Sequence, residues 1–243
     1  GAARPLLAPV ALPRASSAVH DVAITYTYDP LYRLTAADYS DGDYYRYAYD
    51  AVGNRLRQER SVNGQTTTTT YRYDEANRLI AVDDVTYAWD ANGNLLSDGQ
   101  NTYTYDSANR LTAVHSPSPT VHGPPSTVHG PPSTVQFAYN GLGDRLTQNE
   151  THYTLDLNSG LTQVLSDGST TYTYGLGRIS QQNGSATVYF LGDALGSVRQ
   201  MTDAAGAVTL TKSYSPYGEV LSSAGDGASA YGYTGEWTDV TGL

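Results

Sequence analysis

The sequence predicts an all-β protein: repeated antiparallel β-hairpins that join into a curved, twisted ribbon or partial shell. Three observations predict it. The aromatic content is almost entirely tyrosine, 22 Tyr against 2 Phe and 2 Trp in 243 residues. Tyr and Thr favour strands, and a Tyr ring has an apolar body with a polar tip, which suits a half-wet sheet face. The 24 Gly and frequent Asn and Asp supply many turns. A short segment also recurs along most of the chain.

The recurring segment is Tyr-x-Tyr-Asp with a tail. Tyr26-Thr27-Tyr28-Asp29 leads to Tyr32-Arg33-Leu34, and Tyr47-Ala48-Tyr49-Asp50 to Gly53-Asn54-Arg55-Leu56. Tyr71-Arg72-Tyr73-Asp74 leads to Asn77-Arg78-Leu79, Tyr87-Ala88-Trp89-Asp90 to Gly93-Asn94-Leu95, and Tyr103-Thr104-Tyr105-Asp106 to Asn109-Arg110-Leu111. Weaker copies begin at Phe137, Tyr153 and Tyr172, with variants at Asp193 and Pro216. Strand side chains alternate, so both rings of Tyr-x-Tyr share a face. The Asp opens a turn by bonding nearby backbone, and the Gly or Asn that follows supplies positive φ. Arg-Leu starts the return strand. One such hairpin cannot bury its face alone, so neighbours must complete it. Tyr26, Tyr28, Asp29, Tyr47, Tyr49, Asp50, Tyr71, Tyr73, Asp74, Trp89, Asp90, Tyr103, Tyr105 and Asp106 are therefore assigned structural rather than catalytic roles.

These motifs resemble the YD repeat of the bacterial RHS shell proteins, and of the related teneurins and Tc-toxin C components, from about Tyr26 to Leu243. Tyr189 to Arg199, Asp203 to Gly206, Tyr214 to Glu219 and Tyr233 to Glu236 are similar to the start of the RHS-associated core. The resemblance implies a shell that encloses a toxic passenger. It also implies a following self-cleavage motif, which Asp239 to Leu243 imitates without its Pro, so no protease residues are carried over. About twenty strands at ~4.8 Å spacing make a ribbon ~95 Å long, or a closed ring only ~30 Å across. A 100-residue passenger is ~34 Å in diameter. This chain alone is expected to form at most a piece of such a wall.

Three regions are expected: an Ala/Pro-rich extended arm over 1–20, a repeat sheet over 21–188 with a Pro-rich insertion at 115–134, and a partial core over 189–243. The arm lacks the basic start and long apolar run of a signal peptide. Its Leu6, Leu7, Val10 and Leu12 are candidates for docking on an open sheet end or a neighbouring copy.

Other chemistry is poorly represented. No Cys is present, which excludes disulfides and thiolate sites. Net charge is −10, with thirteen Arg spread along the chain and a single lysine, Lys212; no basic stripe suits a nucleic acid. No apolar run approaches the ~20 residues of a membrane span. His122 and His129 lie seven apart in a Pro-rich loop and are assigned to the loop, not to a metal. Asp90 to Asn94, and the cluster Asp38, Asp41 and Asp43, are assigned to turns rather than calcium. No cofactor and no enzymatic activity are expected. The expected function is a non-enzymatic scaffold at the cell surface or outside the cell. It associates with other copies through sheet edges or the arm, giving a fibre or sheath. The alternatives are a wall fragment of a toxin-enclosing shell, and a glycan-binding face.

Overall fold

The computed structural model describes residues 22–117 and 133–238. The arm residues Leu6, Leu7, Val10 and Leu12, the loop residues His122 and His129, and the ending Asp239 to Leu243 lie outside them. Among the described residues the chain is an antiparallel meander of twenty-two strands in three open sheets, with one short 3-10 turn at Tyr233–Gly235. Within each sheet every strand pairs with its neighbours in sequence, as repeated hairpins require.

The first sheet holds β1 (Ile24–Tyr28), β2 (Leu34–Tyr39), β3 (Tyr44–Tyr49), β4 (Arg55–Val62), β5 (Gln65–Tyr73), β6 (Leu79–Val82) and β7 (Val85–Thr86). The second holds β8 (Ala88–Trp89), β9 (Leu95–Ser97), β10 (Thr102–Tyr105), β11 (Leu111–Ser116), β12 (Ser133–Tyr139), β13 (Arg145–Gln148) and β14 (Thr151–His152). The third runs from β15 (Thr154–Asp156) through β16 (Gln163–Ser166), β17 (Thr170–Tyr174), β18 (Arg178–Asn183), β19 (Ala186–Gly192), β20 (Val198–Asp203) and β21 (Val208–Tyr214) to β22 (Val220–Ala224). Position 188 falls inside β19, so one sheet carries both the last plain repeats and the core-like segment. The Pro-rich insertion connects β11 to β12, which pair up to Ser116 and Ser133.

The sheets meet at corners made by single tyrosines. β7 and β8 are separated only by Tyr87, and β14 and β15 only by Tyr153. Tyr87 and Tyr153 still donate their backbone N–H groups, to the Ile80 and Leu146 carbonyls. In each case one extended segment leaves one sheet and enters the next, which is how a bent strand turns a corner.

Register shifts by one residue just before most turns, for example between Thr27 and Tyr28, Ala48 and Tyr49, and Ala138 and Tyr139. Such bulges add twist, so a ribbon with one per hairpin curls. Each sheet has its own core. Ala37, Tyr45 and Tyr47 form the first, Tyr103, Val114 and Phe137 the second, and Tyr172, Val198, Met201, Leu210 and Tyr231 the third.

Candidate functional site

The chemistry-bearing residues converge on the turns. Eleven of the described turns share one backbone pattern, starting at Asp29, Tyr39, Asp50, Asp74, Asp90, Asp106, Asn140, Asp193, Asp203, Ser215 and Gly232. The first residue donates its N–H to the carbonyl four residues on, and its own carbonyl accepts the N–H three residues on. At Asp74 the side chain then closes the loop: Oδ1 accepts the Ala76 and Arg78 N–H groups, each at 2.9 Å. Asp29, Asp90, Asp106, Asn140, Asp193 and Asp203 repeat this arrangement. The N–H of residue i+4 is the chief reason the Asp29, Asp74, Asp90 and Asp106 carboxyls titrate below the ordinary aspartate value; the side chain at that position adds to it.

Position i+3 takes positive φ throughout: Gly53 and Gly93 in two turns, Asn77 and Asn109 in two others. Tyr32 holds the same conformation at φ 59° with an ordinary side chain. It is an exception to the Gly or Asn expected there.

Position i+4 alternates along the first two sheets, and the alternation links turn to turn. Arg33, Arg78 and Arg110 each use Nε to bond the Asp of their own turn at 2.7 Å. Their Nη1 atoms reach forward to the carbonyls of Asp50, Asp90 and Asn140. Asn54 and Asn94 each bond their own Asp, and their Nδ2 groups also donate forward to the Oδ1 atoms of Asn77 and Asn109, at 2.9 and 2.8 Å. An unbroken ladder of turn contacts therefore runs from Asp29 to Asn140. The tails quoted from the sequence already carry the alternating Arg and Asn. Their forward partners are not visible there.

The two aromatic positions of each repeat differ. The first is buried in four repeats, with Tyr47, Tyr103, Phe137 and Tyr172 all under 8% exposed, and half-buried at Tyr71 and Tyr87. The second reaches back to the preceding hairpin. Tyr49 donates its hydroxyl to the Leu34 carbonyl, Tyr73 to Arg55, Tyr139 to Leu111 and Tyr174 to Val164, and Trp89 donates its indole N–H to Leu79. Tyr26 and Tyr28, on the end strand β1, are 46% and 56% exposed. Burial of a repeat thus comes from the hairpin beside it. Tyr103 has a further partner, the Asp98 carboxylate at 2.6 Å; burial first and then that hydrogen bond raise its pKa to about 12.

The ribbon curls far enough for its ends to touch. Tyr217, in the turn before β22, meets Tyr47 edge-on at 4.9 Å, lies 4.6 Å from the Arg55 guanidinium, and shares a hydroxyl–hydroxyl bond with Tyr49. Glu219 accepts two bonds from Arg60, at 2.8 and 2.9 Å. The segment after β22 folds back over the third sheet: Val198 N–H bonds the Gly232 carbonyl, and Tyr231 and Trp237 pack edge-on against each other and Tyr172. No local pattern in the sequence marks the closing contacts or this cover.

The acidic cluster assigned to a turn is engaged within the protein. Asp38 pairs with Arg46 at 2.6 Å, Asp41 accepts the Asp43 N–H, and Asp43 accepts the Asn63 N–H. Among the described residues no group of three or more His, Asp or Glu side chains is placed to hold a metal, and no helix is long and apolar enough to cross a membrane.

Hairpins that repeat the same turn and bury one another define a YD-repeat β-ribbon. The family model for the teneurin YD-shell matches residues 15–120. The repeat in this chain is of the RHS/YD kind. Two curated relatives are called tRNA nucleases. The tRNA3(Ser)-specific nuclease WapA of Bacillus spizizenii is 30% identical over 198 residues, which is 79% of this chain and 8% of that protein. The tRNA nuclease WapA of Bacillus subtilis is 33% identical over 73 residues, 30% of this chain and 3% of that protein. This chain therefore spans less than a tenth of either. Among solved structures, a Photorhabdus luminescens Tc holotoxin pore containing TccC3 is 16% identical with a TM-score of 0.39, covering 92% of this chain and 16% of that one. The TcdB2-TccC3-Cdc42 complex gives 15% and 0.35, covering 91% and 19%.

Proposed function

We propose that this chain is a stretch of RHS shell wall, without catalysis of its own, that lies outside the cell and helps to enclose a polypeptide passenger. The unbroken turn ladder carries the proposal. It ties each of these turns in the first two sheets to the next through Arg guanidinium and Asn amide donors, which is the construction of a wall. The matched family is itself a shell by description. The nuclease activity in the relatives' names is left with those proteins, because the match covers so little of them. The cleft between the first and third sheets measures about 650 Å³. A folded 100-residue passenger, ~34 Å across, needs a much larger enclosure, with more wall than these residues build.

A second reading, assembly of copies into an extracellular fibre or sheath, is favoured by one observation. Among the described residues β1 and β22 end their sheets with one side unpaired, and such edges recruit strands. A glycan-binding face is less well supported, because the half-buried ring of most repeats is already bonded to the preceding hairpin. Electron microscopy of natively isolated material, with intact mass on the same sample, separates these. Hollow particles built from a much heavier chain are expected. Regular filaments with a unit near 26 kDa would replace the shell by the fibre.

A further inference from the structure

The cleft of about 650 Å³ lies between the inner face of the first sheet and the last strands of the third. Its size is that of an ordinary ligand site. Three features of its walls are unusual in a chain of net charge −10.

The first is cationic. Lys212, the sole lysine, and Arg199 both line the cleft. Neither has an ion-pair partner among the described residues. Arg199 lies 5.7 Å from the Tyr214 ring and near the Tyr26 and Tyr39 hydroxyls, while burial alone holds the Lys212 ammonium below its ordinary pKa. Asp41 and Asp43 also line the cleft but serve the β2–β3 turn and Asn63. The second feature is the Tyr39 hydroxyl, which is buried in the same walls with no hydrogen-bond partner among the described residues. An unsatisfied buried donor is costly and is relieved by an acceptor. The third is β22, the end strand of its sheet, exposed at all five residues; its Leu221 and Ser222 form part of the cleft wall. An end strand offers a row of free N–H and C=O groups, which is the template for strand addition.

We propose that this cleft captures an extended peptide segment carrying an acidic side chain, adding it as a strand along β22 and pairing its carboxylate with Lys212 and Arg199. Unpaired cations call for an anion, and the free strand edge calls for a peptide rather than a small inorganic ion. The proposal stands independently of the shell reading, since a fibre subunit would carry the same cleft.

The lone lysine gives a single-site test. Amine-reactive labelling of Lys212, mapped by peptide mass spectrometry to separate it from the N-terminal amine, is followed with a synthetic Thr-Val-Glu-Val-Thr peptide, its Gln analogue, an N-methylated analogue and inorganic phosphate. The acidic peptide is expected to slow labelling about tenfold at saturation, and Arg199→Met to weaken its binding by about tenfold. The Gln and N-methylated peptides and phosphate should do neither. Equal protection by the Gln peptide would remove the carboxylate from the proposal. Equal protection by the N-methylated peptide would remove strand addition, and protection by phosphate would reduce the site to an anion pocket. Protection that rises with protein concentration alone would give the cleft to a second copy. An unprotected Lys212 with every probe would overturn the proposal outright, and that arm uses the unaltered chain, so it does not depend on any variant folding.

Discussion

The first two sheets and the third use the same turn, yet they cohere by different means. From Asp29 to Asn140 the turns carry Arg or Asn at the fourth position after the Asp, and these side chains bond the next turn. In the third sheet the corresponding positions are Ser197, Ala207 and Glu219. Ser197 accepts the Thr234 N–H of the covering segment, Glu219 pairs with Arg60 of β4, and Ala207 has no polar group, so the ladder is not continued from turn to turn along this sheet. The third sheet instead has the largest apolar core and a covering segment that supplies Tyr231 and Trp237. One backbone motif can therefore be stacked by polar rungs along its rim or by an apolar cover on its face. The choice rests on one side chain per turn.

Acid should break the comparison most visibly, because it acts on many rungs together. The lowered carboxyl pKa values at Asp29, Asp74, Asp90 and Asp106 mean that the unfolded chain binds protons first. Their stabilisation is fully present above the unfolded aspartate value of about 4, and is lost as pH falls through the lower folded values. Hydrogen exchange across a pH series should show the first two sheets losing protection before the third. Equal loss everywhere would deny the difference.

Tyr231→Ala attacks the other region. The ring is 4% exposed at the centre of the third core, so the loss should be about 3–5 kcal/mol. Thermal melting should shift strongly while exchange in β1–β6 stays close to its original rate. Tyr139→Phe removes one backward bond to Leu111 and should cost about 1 kcal/mol by denaturant titration. Tyr32→Gly should stabilise by a similar amount, about 1 kcal/mol, because the ring is 89% exposed and only the strained φ is relieved. Asn77→Gly is the smallest and most discriminating change. It keeps positive φ but removes the acceptor for Asn54, so a net loss of about 0.5 kcal/mol is expected. A gain in stability would mean that Asn77 serves its turn alone.

That last variant marks the boundary of what could be read from the residues. Gly and Asn look equivalent in the repeat tails, since both supply a left-handed residue. The fold separates them: Asn77 and Asn109 also accept a bond from the turn before, while Gly53 and Gly93 have no side chain to do so. The two rings of Tyr-x-Tyr likewise look alike in the motif, yet at Tyr47 and Tyr103 the first is buried, while at Tyr49 and Tyr73 the second reaches back to its neighbour.

The sequence by itself determined the strands, the turns and their order. The groups that make a turn lie within four residues of its Asp, so chain connectivity alone brings them together. Tertiary structure decided which rings are buried, which turns touch, and where the ends meet. Tyr49 and Tyr217 stand 168 positions apart, as does no pair within a turn. Their meeting depends on twist accumulated through bulge after bulge and on two corners at Tyr87 and Tyr153. A small error per hairpin, summed over the ribbon, would part them, so no local pattern can encode the contact.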